Sequence, residues 1–198
     1  MLSERGNGAI WLRPESGLAE GENIFDYLFL RRGVVLPSTV VVERDAALRY
    51  PFLESLWFGD NDQFAVDMWR AGVRFHFVEQ PLTRYADKED SSRLSRLPLF
   101  DHASPRHRAF FDWMESQRPF MSKQAYLAYR ARFLSRSIAR DSPMRGAGEI
   151  LAAWRHGALS ASACLRQLAQ TFTPELYRMV ADLIAWGRGM RLSGGSRW

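Results

Sequence analysis

Apolar and polar positions divide this chain into a mixed first half and a helical second half. Residues 34–42 carry Val34, Val35, Leu36, Val40, Val41 and Val42, a nearly continuous β-branched run that predicts a buried strand. Pro37 lacks the N–H that a central ladder needs, so the strand is expected to bulge or begin there. Val73, Phe75 and Phe77 alternate with Arg74 and His76, the period of a strand with one polar face. Between them a helix is expected from Asp60, with Phe64 above Met68 and Ala65 above Trp69, stopped by Gly72. Residues 22–32 form an earlier helical pattern that ends in Arg31-Arg32-Gly33, cations in the last turn and a glycine for a left-handed cap. A short helix or turn fills 43–49. Residues 1–21 predict a glycine-punctuated linker with at most one short strand, at Ile10-Trp11-Leu12, and 86–96 a charged loop.

After Pro98 every apolar pattern is helical. Helices are expected over about 106–117, from a Ser122 cap to about Arg140, over 148–155, from a Ser160 cap to about Gln170, and from Thr173-Pro174 to about Trp186. The domain plan is a linker at 1–21, a sheet-bearing part at 22–100, a helical subdomain at 101–187 and a flexible tail at 188–198.

Composition narrows the picture little. Hydrophobic residues make up 46% of the 198, enough for a packed core. One cysteine, Cys164, excludes an intramolecular disulfide framework and a multi-thiolate zinc site, and suits a small apolar helix residue. The net charge is +5, but only Lys88 and Lys123 are lysine and the other basic residues are arginine, a bias that weakly indicates partners; no nucleic acid is expected. No apolar run reaches membrane-spanning length, so the expected location is cytoplasmic, with peripheral membrane contact as an option.

The candidate chemistry lies at Gly59-Asp60-Asn61-Asp62. A metal-holding Asp-x-Asp normally ends a buried strand, whereas this one follows a loop and opens a helix, which makes a helix cap the plain alternative. Its surroundings add a further likeness. Leu36-Pro37-Ser38-Thr39-Val40-Val41-Val42-Glu43-Arg44, the acidic turn, Ala71-Gly72-Val73-Arg74-Phe75-His76-Phe77-Val78 and Gln80-Pro81-Leu82-Thr83-Arg84-Tyr85 stand in this order. Over residues 22–96 the chain thereby resembles the acceptor-side half of family 2 glycosyltransferases of GT-A type.

That resemblance implies an α/β fold, a partial GT-A (Rossmann-like) sheet followed by an all-helical C-terminal subdomain. It implies transfer of a sugar from a nucleotide-sugar to an acceptor hydroxyl, in surface polysaccharide or glycan synthesis, on a glycan or lipid-linked acceptor. Asp60 takes the place of the general base and Asp62 that of a supporting carboxylate. Ser38 and Thr39 would line the acceptor pocket, and Trp57 and Trp69 would floor a sugar site, although a tryptophan on an amphipathic helix is more often core. The family's nucleotide-binding half is expected before residue 22, so a divalent metal, Mn2+ or Mg2+, is expected only together with that half. The chain alone is then expected to be silent, or to work with a second chain that carries the half. His76, His102, His107 and His156 lack ligand spacing, the first on a strand, the next two in a later loop and the last at a helix end.

Arg132, Arg136 and Arg140 stand four apart on the helix after Ser122. A solvated face is the plain expectation, and contact with a membrane surface or another anionic partner the functional one. The alternative to an enzyme is accordingly a non-catalytic helical binding module, or a subunit that completes another chain's sheet.

Overall fold

The computed structural model describes residues 2–5, 10–87, 105–177, 179, 180 and 183. It is mostly helical, and this corrects the expected α/β architecture. The sheet among the described residues has three short strands, β1 (Leu2–Arg5), β2 (Ile10–Leu12) and β3 (Arg84–Asp87), in the order β2-β1-β3. β1 runs antiparallel to β2, with Leu2 opposite Leu12, and parallel to β3, with Leu2 opposite Arg84. It holds none of the residues expected to build a Rossmann-like sheet.

Both expected strands are extended chain without a ladder. Residues 34–42 are broken by a 3-10 turn at Pro37–Thr39, where the ring fixes φ and the amide donor is missing, and Val41 is fully exposed. Residues 73–78 alternate in burial only at Val73 and Phe75, Phe77 being exposed, and no strand pairs with them among the described residues. The two segments instead set Val40, Val42, Val73 and Phe75 against a small cluster of Ala46, Phe64 and Met68, contributed by helices α1 (Arg44–Arg49) and α2 (Asp60–Arg70). β-branched side chains reach this cluster from extended backbone just as they would from a sheet.

The helices follow the apolar pattern more closely. α3 spans Pro105–Ser116. α4 (Lys123–Tyr129), a π-helical stretch Arg130–Leu134 and α5 (Ser135–Asp141) run on as one helix, opened by Ser122, whose hydroxyl accepts from the Ala125 N–H at 3.0 Å. α6 covers Pro143–Arg155, starting earlier than expected because Pro143 suits the first helical position. α7 (Ala161–Phe172) starts at Ser160, whose hydroxyl accepts from Ala163 N–H. Residues 174–177, 179, 180 and 183 are helical, and the rest of the expected last helix lies outside the described residues, as does most of the 86–96 loop.

One large core joins these helices to the early segment. A π-helix at Asp26–Leu30 buries Tyr27, Leu28 and Phe29, and its neighbours Ile24 and Phe25 are fully buried. Phe110 of α3 lies at the centre, its ring 4.9 Å from Phe58, 6.0 Å from Phe133 and 6.3 Å from Tyr129. The π-helix ends differently from expectation: Arg32, not Gly33, takes the left-handed conformation, with φ 59°. Gly33 is needed for a different reason, since a Cβ there would stand 2.3 Å from the Tyr27 ring.

Phe110 is fully buried among aromatic rings, so Phe110→Ala is expected to cost about 3–5 kcal/mol in a denaturant titration. A loss below about 1 kcal/mol would show that the ring is not central to the core.

Candidate functional site

The acidic turn sits where it does because of a glycine. Gly59 has φ 78°, and a Cβ on it would stand 2.2 Å from the Phe110 ring. Only a residue without a side chain fits both demands. Gly59 is the N-cap of α2, and no side chain caps the helix. The capping role open to Asp60 and Asp62 is therefore not used, and both carboxylates stand in the first turn. α2 is fixed from below by Gln63, which is fully buried. Its Oε1 accepts from Leu53 N–H at 3.0 Å and its amide donates to Pro51 carbonyl and to Asp67.

Against the start of α2 lies a cavity of about 480 Å³. Leu28, Phe29, Val34, Val35, Leu36, Phe58 and Phe133 form its apolar walls. Asp60, Asn61, Asp62 and His107 supply polar groups, and Trp57, two-fifths exposed, also lines it. An apolar hollow with few convergent polar groups is the usual form of a small-molecule site.

The polar groups are not equivalent. Asp62 is half-buried as a residue, but its carboxyl is withdrawn from water. That desolvation, and then the charge of Asp60, push its pKa up to about 7. A carboxyl of this kind can hold a proton near neutrality beside a second carboxylate. Asn61 Oδ1 is buried and accepts no hydrogen bond, which leaves an acceptor for a ligand hydroxyl. His107 is buried, its ring edge-on to Phe58 at 6.1 Å.

Of the residues singled out in the sequence, Asp60, Asp62 and Trp57 meet in this cavity. Ser38 and Thr39 do not line it. They lie exposed in the 3-10 turn, where Thr39 Oγ1 donates to Leu36 carbonyl at 2.9 Å and Ser38 carbonyl accepts from Thr83. Trp69 lies about two turns further along α2 and does not line the cavity; its ring is edge-on to Phe25 at 6.5 Å and its indole N–H donates to the Glu22 carbonyl at 3.2 Å. It holds the early segment to the helix.

His107 is in α3 and not in a loop. Its position could have been found from spacing, because His107, Phe110, Phe111 and Met114 stand at i, i+3, i+4 and i+7 on one apolar face. Asn61 left no such signal. His76 is exposed on extended chain, His156 caps the end of α6, and His102 lies outside the described residues.

A metal would need more donors than are gathered here. Among the described residues no three His, Cys, Asp or Glu side chains converge so as to hold one, and two carboxylates alone make a weak site without substrate oxygens. No described helix is long and apolar enough to cross a membrane.

The raised pKa of Asp62 has a definite effect on stability. The folded state binds this proton more tightly than the unfolded chain, so stability falls as pH rises from about 4 to about 7 and is flat above. In Asp62→Asn that fall is expected to be absent, leaving the variant more stable than the wild type at pH 8 by on the order of 2 kcal/mol and without advantage at pH 4. Parallel stability–pH curves for the two proteins would contradict a desolvated Asp62.

Comparisons with protein-family models, with curated proteins and with solved structures find none that matches this chain.

Proposed function

We propose that the chain carries the acceptor-binding and base-bearing part of a sugar-transferring enzyme similar in chemistry to family 2 glycosyltransferases. The observation that supports it most is the pairing of Asp60 with a desolvated Asp62 beside a cavity lined by Trp57. The proposal rests on the site and on the sequence resemblance, and not on the fold.

In this reading an acceptor sugar enters the cavity with an apolar face on Trp57, and one of its hydroxyls donates to Asn61 Oδ1. The attacking hydroxyl lies against Asp60. Its oxygen forms a bond to the anomeric carbon of the donor as the bond from that carbon to the diphosphate breaks, and the nucleoside diphosphate leaves with the bonding pair. The hydroxyl proton passes to the Asp60 carboxylate. Asp62, when protonated, adds no second negative charge beside Asp60 and can donate a hydrogen bond to the acceptor. The rigid start of α2 holds the base in line, which contributes through orientation.

The test uses the chain together with the nucleotide-binding half that the resemblance calls for, joined to it or supplied as a second chain. Together they are offered a panel of radiolabelled nucleotide-sugars with Mn2+ and glycolipid acceptors. Transfer by the wild type is expected, with a loss of about 100-fold or more in Asp60→Asn while nucleotide-sugar binding survives. Equal loss of binding and turnover would make Asp60 structural, and no transfer by the wild type from any donor would overturn the proposal.

A further inference from the structure

The arginine stripe expected as a solvated face is corrected for two of its three members. Arg132 and Arg136 are half-buried beside α7, where Gln167 donates to Arg132 carbonyl at 3.4 Å and Gln170 accepts from the Arg136 guanidinium at 2.7 Å, and Arg140 is exposed. The cavity beside α2 is built differently, with its polar and apolar parts supplied by separate elements.

Its polar side chains are Asp60, Asn61 and Asp62 in the first turn of α2, and His107 of α3. Its apolar wall begins at Phe58, two residues before Asp60, and passes to Phe133, whose ring lies 6.3 Å from that of Phe58. From there it reaches Phe29, whose ring is 6.0 Å from that of Phe133 and almost wholly buried. Leu28 and the extended stretch Val34-Val35-Leu36 complete the wall. Trp57, two-fifths exposed, stands where the cavity meets water.

A bare sugar does not match this division. Hydroxyls surround its ring, and each one withdrawn from water without a partner weakens binding. Among the described residues that line the cavity, only those four offer polar side chains besides the Trp57 indole, enough for the reacting hydroxyl and a neighbour. The rest of the hollow faces a guest with hydrocarbon. Its volume of about 480 Å³ lies within the roughly 300–1,000 Å³ of sites that enclose a drug-sized molecule, far more than one hydroxyl fills.

We infer that the acceptor carries a hydrocarbon group, which fills the hollow between Phe29, Phe58 and Phe133 while its sugar stays at Trp57 and Asp60. The ligand's role as an acceptor rests on the sugar-transfer reading, whereas the hydrocarbon site rests on the cavity alone. In this placement the sugar ring lies on Trp57 and one hydroxyl donates to Asn61 Oδ1, which is buried and otherwise accepts nothing. The hydrocarbon displaces water from the aromatic wall, so the acceptor is selected by its apolar group as well as by its sugar.

The experiment titrates methyl, butyl and hexyl β-D-glucoside into the full chain by calorimetry. Binding is expected to tighten with each added methylene, by at most about fourfold a step, until the hollow is filled. Leu36 is a partly exposed wall residue whose carbonyl, not its side chain, holds the 3-10 turn, so Leu36→Gln should keep its fold, which circular dichroism checks. This variant is expected to shrink the preference for hexyl over methyl at least about fivefold. Leu165→Gln, at an exposed leucine of α7 outside the cavity lining, is expected to leave the preference unchanged. Equal binding of methyl and hexyl glucoside by the wild type, or equal loss of preference in both variants, overturns the inference. The same compounds then serve as acceptors in the transfer assay. Transfer with the same KM for the methyl and hexyl acceptors overturns the inference and keeps Asp60 as base. Chain-length-dependent binding without transfer from any donor overturns the sugar-transfer reading and supports the hydrocarbon site.

Discussion

The contact on which the rest depends is that of the Phe110 ring with Gly59. α3 buries Phe110 among Phe58, Phe133 and Tyr129, and the ring then occupies the space where a side chain at residue 59 would stand. The backbone at Gly59 answers with a left-handed turn, and α2 begins at the next residue. A contact in the hydrophobic core therefore fixes the place and direction of the helix start, and with it two carboxylates, Asn61 and the adjacent cavity. Because cores are close-packed, a shift of this ring would be transmitted to the acidic turn without much loss on the way.

The electrostatics follow from the same arrangement. Apolar walls on one side of the cavity withdraw the Asp62 carboxyl from water, and Asp60 nearby discourages a second negative charge. The N-terminal dipole of α2 favours carboxylates in its first turn, but burial is the larger effect for Asp62. The outcome is a desolvated carboxyl able to hold a proton near neutrality beside a second carboxyl.

The sequence made the helices legible and the sheet illegible. Ser122 and Ser160 cap helices as their hydroxyls and the following patterns require, and α2 begins at Asp60 as its spacing requires. Residues 34–42 and 73–78 failed because β-branching and alternation specify extended backbone and a buried side, but not a neighbouring strand. Val40, Val42, Val73 and Phe75 pack, partly buried, against Ala46, Phe64 and Met68, which accommodates them without a ladder, while Val41, Phe77 and Val78 stay exposed. Arg32 was illegible because a left-handed arginine breaks the rule that assigns such positions to glycine, while Gly33 is held by the Tyr27 ring. In the site, Asp60, Asp62 and Trp57 were legible from residue type and order, His107 was assigned to a loop and missed although its spacing with Phe110, Phe111 and Met114 marks a helical face, and Asn61 became visible only through its buried, unpaired oxygen.

The central claim is that packing at the start of α2 holds the Asp62 carboxyl out of water beside Asp60. The most direct measurement is a carboxyl 13C NMR titration of Asp62 in the folded protein. A midpoint near 7 is the result predicted here, and a midpoint near the ordinary aspartate value of 3.8 would contradict the account.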